Sequence, residues 1–125
     1  MARLATPDRR AELHADAPTS QIHDSLSPQP HDVAVRKTRV GAFATTDLDR
    51  QLRDRGVTTV VLAGISTSGV VLSTVREAMD RDYRIIVLND ASADPDQDSH
   101  DFLTRKMFPR HTSVVAVADL HELWA

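Results

Sequence analysis

The sequence predicts one α/β domain over residues 32–125, built on a mostly parallel sheet, behind an irregular segment over residues 1–31. Three observations carry this. The apolar runs Thr59–Ala63, Ile85–Leu88 and Val114–Val117 are continuous rather than alternating, which suits strands buried on both faces of a parallel sheet. Stretches with helical spacing lie between them. The length, 125 residues, is that of one domain burying about 65–70% of its unfolded surface. A β-α-β-α-β-α-β order with right-handed crossovers implies a Rossmann-like, three-layer α/β/α sandwich.

Residues 1–31 hold four of the six prolines and no sustained apolar period, so only a short helical turn around Asp8–His14 is expected there. Val33-Ala34-Val35, running on to Lys37, reads as a first strand. Thr45 or Thr46 can cap a helix carrying Leu48 and Leu52, and Gly56 stands where a C′ glycine belongs. The run Thr59–Ala63 follows. Val71, Val75, Ala78 and Met79 then form an apolar helical stripe, with Arg76, Glu77 and Asp80 on the other side. After Ile85–Leu88, Leu103 and Met107 mark a helix stopped near Pro109. Val114–Val117 is the last strand, before a short helix at Leu120–Trp124 whose tryptophan packs the last turn or an interface.

Composition narrows the function. Fifteen Lys and Arg against eighteen Asp and Glu give a charge of −3, dispersed along the chain, and five aromatics leave little for base stacking. A nucleic-acid partner is not expected. No apolar run reaches the ~20 residues of a membrane span, and the N-terminus has no signal-type apolar core, so a cytoplasmic protein away from membranes is expected. Cysteine is absent, which excludes disulfides, thiolate metal sites and cysteine nucleophiles. The six histidines form no metal-type pair, and neither metal nor cofactor is expected.

Ligands of open parallel sheets bind at the carboxyl ends of strands. Those ends carry Lys37, the segment Gly64-Ile65-Ser66-Thr67-Ser68-Gly69, and Asp90. The segment joins a buried strand to a helix, so its amides can face an anion or a developing oxyanion. Alternatively Ser66, Thr67 or Ser68 merely caps the helix. The segment lacks the last glycine of G-x-S-x-G, and it fits neither the P-loop nor the G-x-G-x-x-G pattern. Asp90 orients a loop or lines a pocket, with the loop role favoured. His100 caps or packs near a helix start. Phe43 is either an apolar wall of the site or an ordinary core aromatic.

Several motifs taken together resemble a known family. Val35-Arg36-Lys37-Thr38-Arg39-Val40-Gly41-Ala42-Phe43 with Thr46-Asp47-Leu48 is similar to the strand-end lysine motif of the isochorismatase-like hydrolases. Val60–Thr74 is similar to their nucleophile loop, and Asp80–Tyr83, Asn89-Asp90-Ala91, His100 and Phe108-Pro109-Arg110 continue the match over about residues 19–118. The resemblance implies a three-layer sandwich with an Asp-Lys-Cys triad that hydrolyses small amides or ureas through a thioester-type intermediate. It places Lys37 at the lysine, Gly69 at the cysteine, and a non-prolyl cis peptide at Ile65–Ser66. It also gives the oxyanion role to the loop at Ser66, Thr67 and Ser68.

Two departures follow. Gly69 cannot be a nucleophile, which leaves the acid–base chemistry of the family's cysteine-lacking members, the vinyl-ether-cleaving isochorismatases. The family's aspartate ends an apolar first strand, and nothing in residues 1–31 reads that way. The first two family strands and the intervening helix are therefore expected to be missing through N-terminal truncation. Either the Val33–Lys37 strand moves in beside Thr59–Ala63 or that apolar edge stays unpaired, and a homo-oligomer is expected. Two functions stay open: a non-thiol hydrolase domain acting on a small organic metabolite, or an inactive remnant or binding module.

Overall fold

The computed structural model describes the backbone of residues 11–124 and the side chains of 11–123, so the expectation for the Trp124 side chain lies outside the described residues. The chain divides into two compact units, Met1–Ala34 and Val35–Ala125. In the first, positions 11 and 12 are helical, while positions 8–10 of the expected turn lie outside the described residues. Two 3₁₀ turns follow, Pro18–Ser20 and Asp24–Leu26, the second capped by His23 Nδ1 accepting from the Ser25 amide at 3.2 Å.

The second unit is an α/β fold with three parallel strands: β1 (Thr59–Ile65), β2 (Arg84–Ala93) and β3 (Ser113–Val115), in the order β1-β2-β3. Val60 pairs with Ile85 and Leu62 with Val87, while Val87 pairs with Val114. The β1–β2 register shifts between Leu62 and Gly64. Gly64 sits at φ +136°, a conformation that glycine adopts readily and a β-branched residue does not.

The expected strand at Val33–Lys37 does not form. The segment is irregular, and it is exposed except at the half-buried Val35. Extended backbone needs a ladder to satisfy its amides and carbonyls, and β1 pairs only with β2 among the described residues. Of the two arrangements expected for the β1 edge, the unpaired one is present among the described residues.

Helix α1 (Leu48–Asp54) begins with the Thr46 hydroxyl accepting from the Leu48 amide at 3.2 Å. It ends with Gly56 at φ +68°, the Gly56 amide on the Arg53 carbonyl and the Val57 amide on that of Leu52, which is a Schellman arrangement. Helix α2 (Leu72–Met79) follows a π-helical turn at Thr67–Val71, and helix α3 (Gln97–Phe102) runs into another at Leu103–Met107. Pro109 then starts a 3₁₀ turn at Phe108–Arg110, and another spans Val117–Trp124. Asp90 lies within β2 rather than at its end, where the sequence suggested it, and its Oδ1 receives the Val117 amide at 2.9 Å, so the carboxylate orients the segment after β3.

The main core joins Val60, Ile85 and Val87 of the sheet to Val71, Val75 and Ala78 before and within α2, and to Leu103 and Phe108. Segment 41–46 is bound to the back of α2. The Ala42 amide donates to Thr74 Oγ1 at 3.2 Å and the Phe43 amide to Glu77 Oε2 at 3.3 Å. Ile86 and Leu88 are buried outside that cluster, on the opposite side of the pleat.

One buried hydroxyl is anomalous. Ser92 is 8% exposed, and its Oγ has no hydrogen-bond partner among the described residues. An unsatisfied buried polar group costs about 1–3 kcal/mol. Ser92→Ala is therefore expected to leave stability unchanged or raise it by roughly 1 kcal/mol, measured by urea denaturation; a clear loss of stability would show that the hydroxyl is bonded in solution.

Candidate active site

The site begins where β1 ends. The Ile65–Ser66 peptide is cis, as the family resemblance implied, and the chain then turns through Thr67–Val71 into α2. The turn closes on itself, because the Ser66 carbonyl accepts the amides of both Gly69 and Val71 at 3.2 Å. Thr67 is fully buried, and its Oγ1 shares a 2.8 Å hydrogen bond with His100 Nδ1 on α3. The Ser68 amide, expected to face an external anion, donates instead to Asp94 Oδ2 at 2.7 Å. Asp94 Oδ1 also accepts the Asp96 amide at 3.0 Å.

Gly69 is packed against its own turn. A Cβ at this position would lie 2.5 Å from Ser66 Oγ, so a larger residue here requires the Ser66 hydroxymethyl to rotate away. Ser66 is half-buried and Ser68 exposed. Ser66, Thr67, Ser68 and Gly69 thus form one tight turn at the carboxyl end of β1.

Among the described residues no hydrogen bond joins the other two expected residues, Lys37 and Phe43, to this turn. The Lys37 ammonium donates to the Arg39 carbonyl at 3.1 Å, within its own exposed loop. Phe43 is 4% exposed, its ring 5.8 Å from that of Tyr83 and stacked at 21°, with the Arg81 guanidinium 4.9 Å from its centroid. Tyr83 immediately precedes β2, whereas the turn follows the far end of the parallel β1. Phe43 therefore belongs to the core toward the other end of the sheet, the second of its two expected readings, and not to a wall of the site. Its own amide is fixed to Glu77 of α2.

One contributor was not read from sequence, and for another the packing alternative rather than the cap is the one present. Asp94 was not singled out, since nothing local links it to Ser68, 26 positions earlier. His100 does not cap a helix. The cap is Asp96, whose side chain accepts from the Asp98 amide, and His100 packs against Thr67. Among the described residues no group of three or more His, Cys, Asp or Glu is placed to hold a metal. No helix among them is long and apolar enough to cross a membrane.

The hydrogen bonds to the Ser68 side chain, then to its amide and that of Asp96, hold the Asp94 carboxyl below the ordinary carboxylate range. A group whose folded pKa is depressed stabilises the fold fully above its unfolded value, about 3.9, and less as pH falls through the lower folded value. The Ser68 amide resonance is expected to shift as pH drops below about 4, and the shift should vanish in Asp94→Asn. A Ser68 amide insensitive to acid down to about pH 2 in the unsubstituted chain would remove Asp94 from the turn.

Parallel strands with helices between them, and a specialised turn at the carboxyl end of one strand, define an α/β domain of the class that places its chemistry beyond its strand ends. The chain belongs to the isochorismatase family, whose isochorismatase-domain profile matches residues 3–119. It is similar to the isochorismatase family protein YwoC of Bacillus subtilis (strain 168), at 45% identity over 99 residues, covering 79% of this chain and 51% of YwoC. It is also similar to ureidoacrylate amidohydrolase RutB of Methylobacterium radiotolerans, at 48% identity over 69 residues, covering 55% of this chain and 27% of RutB. Among solved structures, an isochorismatase family protein from Burkholderia thailandensis matches with TM-score 0.81 at 42% identity, over 85% of this chain and 56% of that one. N-carbamoylsarcosine amidase from Thermoplasma acidophilum matches with TM-score 0.70 at 32% identity, over 84% and 64%. The chain spans about half the length of YwoC and less of RutB.

Proposed function

We propose that this chain supplies the turn-bearing part of an isochorismatase-family hydrolase that acts on a small organic metabolite without a thiol nucleophile. The observation that carries this is Gly69. In the tight turn after β1, where the family resemblance puts the attacking cysteine, this chain has no side chain at all. Covalent attack by the protein is excluded at that position, which leaves acid–base hydrolysis of a bound substrate by water. Relatives named for ureidoacrylate and N-carbamoylsarcosine support a small-molecule substrate. Lys37 is the residue proposed to stabilise developing negative charge.

A second reading, a non-catalytic remnant or binding module, is favoured by a specific observation. The single N–H of Ser68, which would face a substrate in the oxyanion reading, is taken up by Asp94, so it is not free for a substrate as the chain stands. Incubation of the chain with isochorismate, a vinyl ether, separates the two. Turnover that disappears in Lys37→Ala supports the hydrolase, and no turnover at high enzyme concentration supports the remnant. The coding sequence upstream of Met1 adds a further test, since an in-frame apolar strand ending in Asp would restore the acid to the proposed enzyme.

A further inference from the structure

Away from the turn, an open groove of about 590 Å³ runs between α2 and the end of α3, within the size range of small-molecule sites. Leu72, Phe102 and Met107 give it an apolar wall, and Phe102 is 51% exposed. The inward residues Val75 and Ala78 of α2 belong to the main core. The groove is thus on the outer side of the helical layer. Its lining comes wholly from residues between Gly41 and Met107, and the bare edge of β1 contributes nothing to it.

Two charged side chains border the groove, and they are not equivalent. The Glu77 carboxylate is already engaged. Its Oε2 accepts the Phe43 amide at 3.3 Å, and Gly41 lies so close that a Cβ there would collide with the carboxylate. The Arg76 guanidinium has neither an ion pair nor a hydrogen bond among the described residues. An acid is within helical reach, since Asp80 stands four positions further along. Arg50, Arg53 and Arg105 each pair with an aspartate at that spacing, whereas Arg76 lines the groove unpaired. A guanidinium beside an apolar wall suits a carboxylate, which it can grip with two parallel N–H donors. The fixed Glu77 carboxylate disfavours a ligand with more than one negative charge.

We propose that this groove binds a small monocarboxylate with an apolar body, the carboxylate on Arg76 and the body against Leu72, Phe102 and Met107. The site is separate from the turn after β1, and it does not depend on the hydrolase reading. A ligand here touches the first residue of α2 and the last of α3. It therefore adds a second tie between the segments that the Thr67–His100 bond already joins.

Titration of the full 125-residue chain with phenylacetate, followed by amide NMR, tests it. The expected result is a saturable shift at Leu72, Arg76 and Phe102 with a Kd of about 1 mM, ordinary for a ligand of about ten non-hydrogen atoms. The uncharged isostere phenylacetamide is expected to bind about tenfold more weakly. Arg76→Gln is expected to weaken phenylacetate by about tenfold and to leave phenylacetamide unchanged, a pattern that general damage to the fold would not produce. Phe102→Ala should weaken both ligands, with circular dichroism melts as the folding control for each variant. No saturable shift up to about 20 mM overturns the proposal, as does equal binding of the acid and the amide. Phenylacetate binding untouched by Arg76→Gln, inorganic phosphate that binds more tightly than phenylacetate, or shifts confined to Ser68 and Gly69 overturns it equally.

Discussion

Phe43→Ala is expected to destabilise the chain by about 3–5 kcal/mol, the usual cost of emptying a buried aromatic site. Phe43 is 4% exposed and stacks on Tyr83, whose ring also carries the Arg53 guanidinium 4.4 Å from its centroid. The Tyr83 hydroxyl donates to Asp49 Oδ1 of α1 at 2.7 Å. Removing the Phe43 ring therefore takes a contact from the segment held on α2, from the start of β2 and from the residues that tie both to α1. Against a total stability of about 5–15 kcal/mol, the loss brings unfolding close to working temperature. Urea denaturation measures it. A cost below about 1 kcal/mol would mean that the ring is not packed as described, and would return Phe43 to consideration as a pocket residue.

Ile86→Ala is expected to cost about 2–5 kcal/mol, whereas Val61→Ala should cost less than about 1 kcal/mol. Both residues sit in uninterrupted apolar runs and point to the side of the pleat away from the main core. Ile86 is 1% exposed, at the middle strand of the three. Val61, on the bare-edged strand, is 39% exposed. Equal losses in parallel urea melts would show that something covers Val61 in solution.

Those two residues also show how far the sequence could be read. An apolar run identifies a strand suited to burial on both faces, and all three strands of the sheet lie where such runs predict them. The run does not reveal whether a neighbour is present to complete that burial. Val33–Lys37 has strand-forming residues, yet with no ladder partner it stays irregular. The helix boundaries at Thr46 and Gly56 were legible because caps are local chemistry, as was the glycine turn after β1. The bonds that fix the turn were not legible. Ser68–Asp94 and Thr67–His100 join residues 26 and 33 positions apart, and each side chain has a common local alternative as a cap.

These two bonds also have a mechanical consequence. Both run from the turn to the same short stretch of chain, 94–100, on the far side of β2. The turn is therefore anchored at two adjacent points to a single support and cannot hinge as an independent flap. Any molecule that re-aims the Gly69 backbone must also move the entrance to α3. Hydrogen exchange is then expected to report the turn and the beginning of α3 as one opening unit, with matching protection that falls together when either anchor is removed.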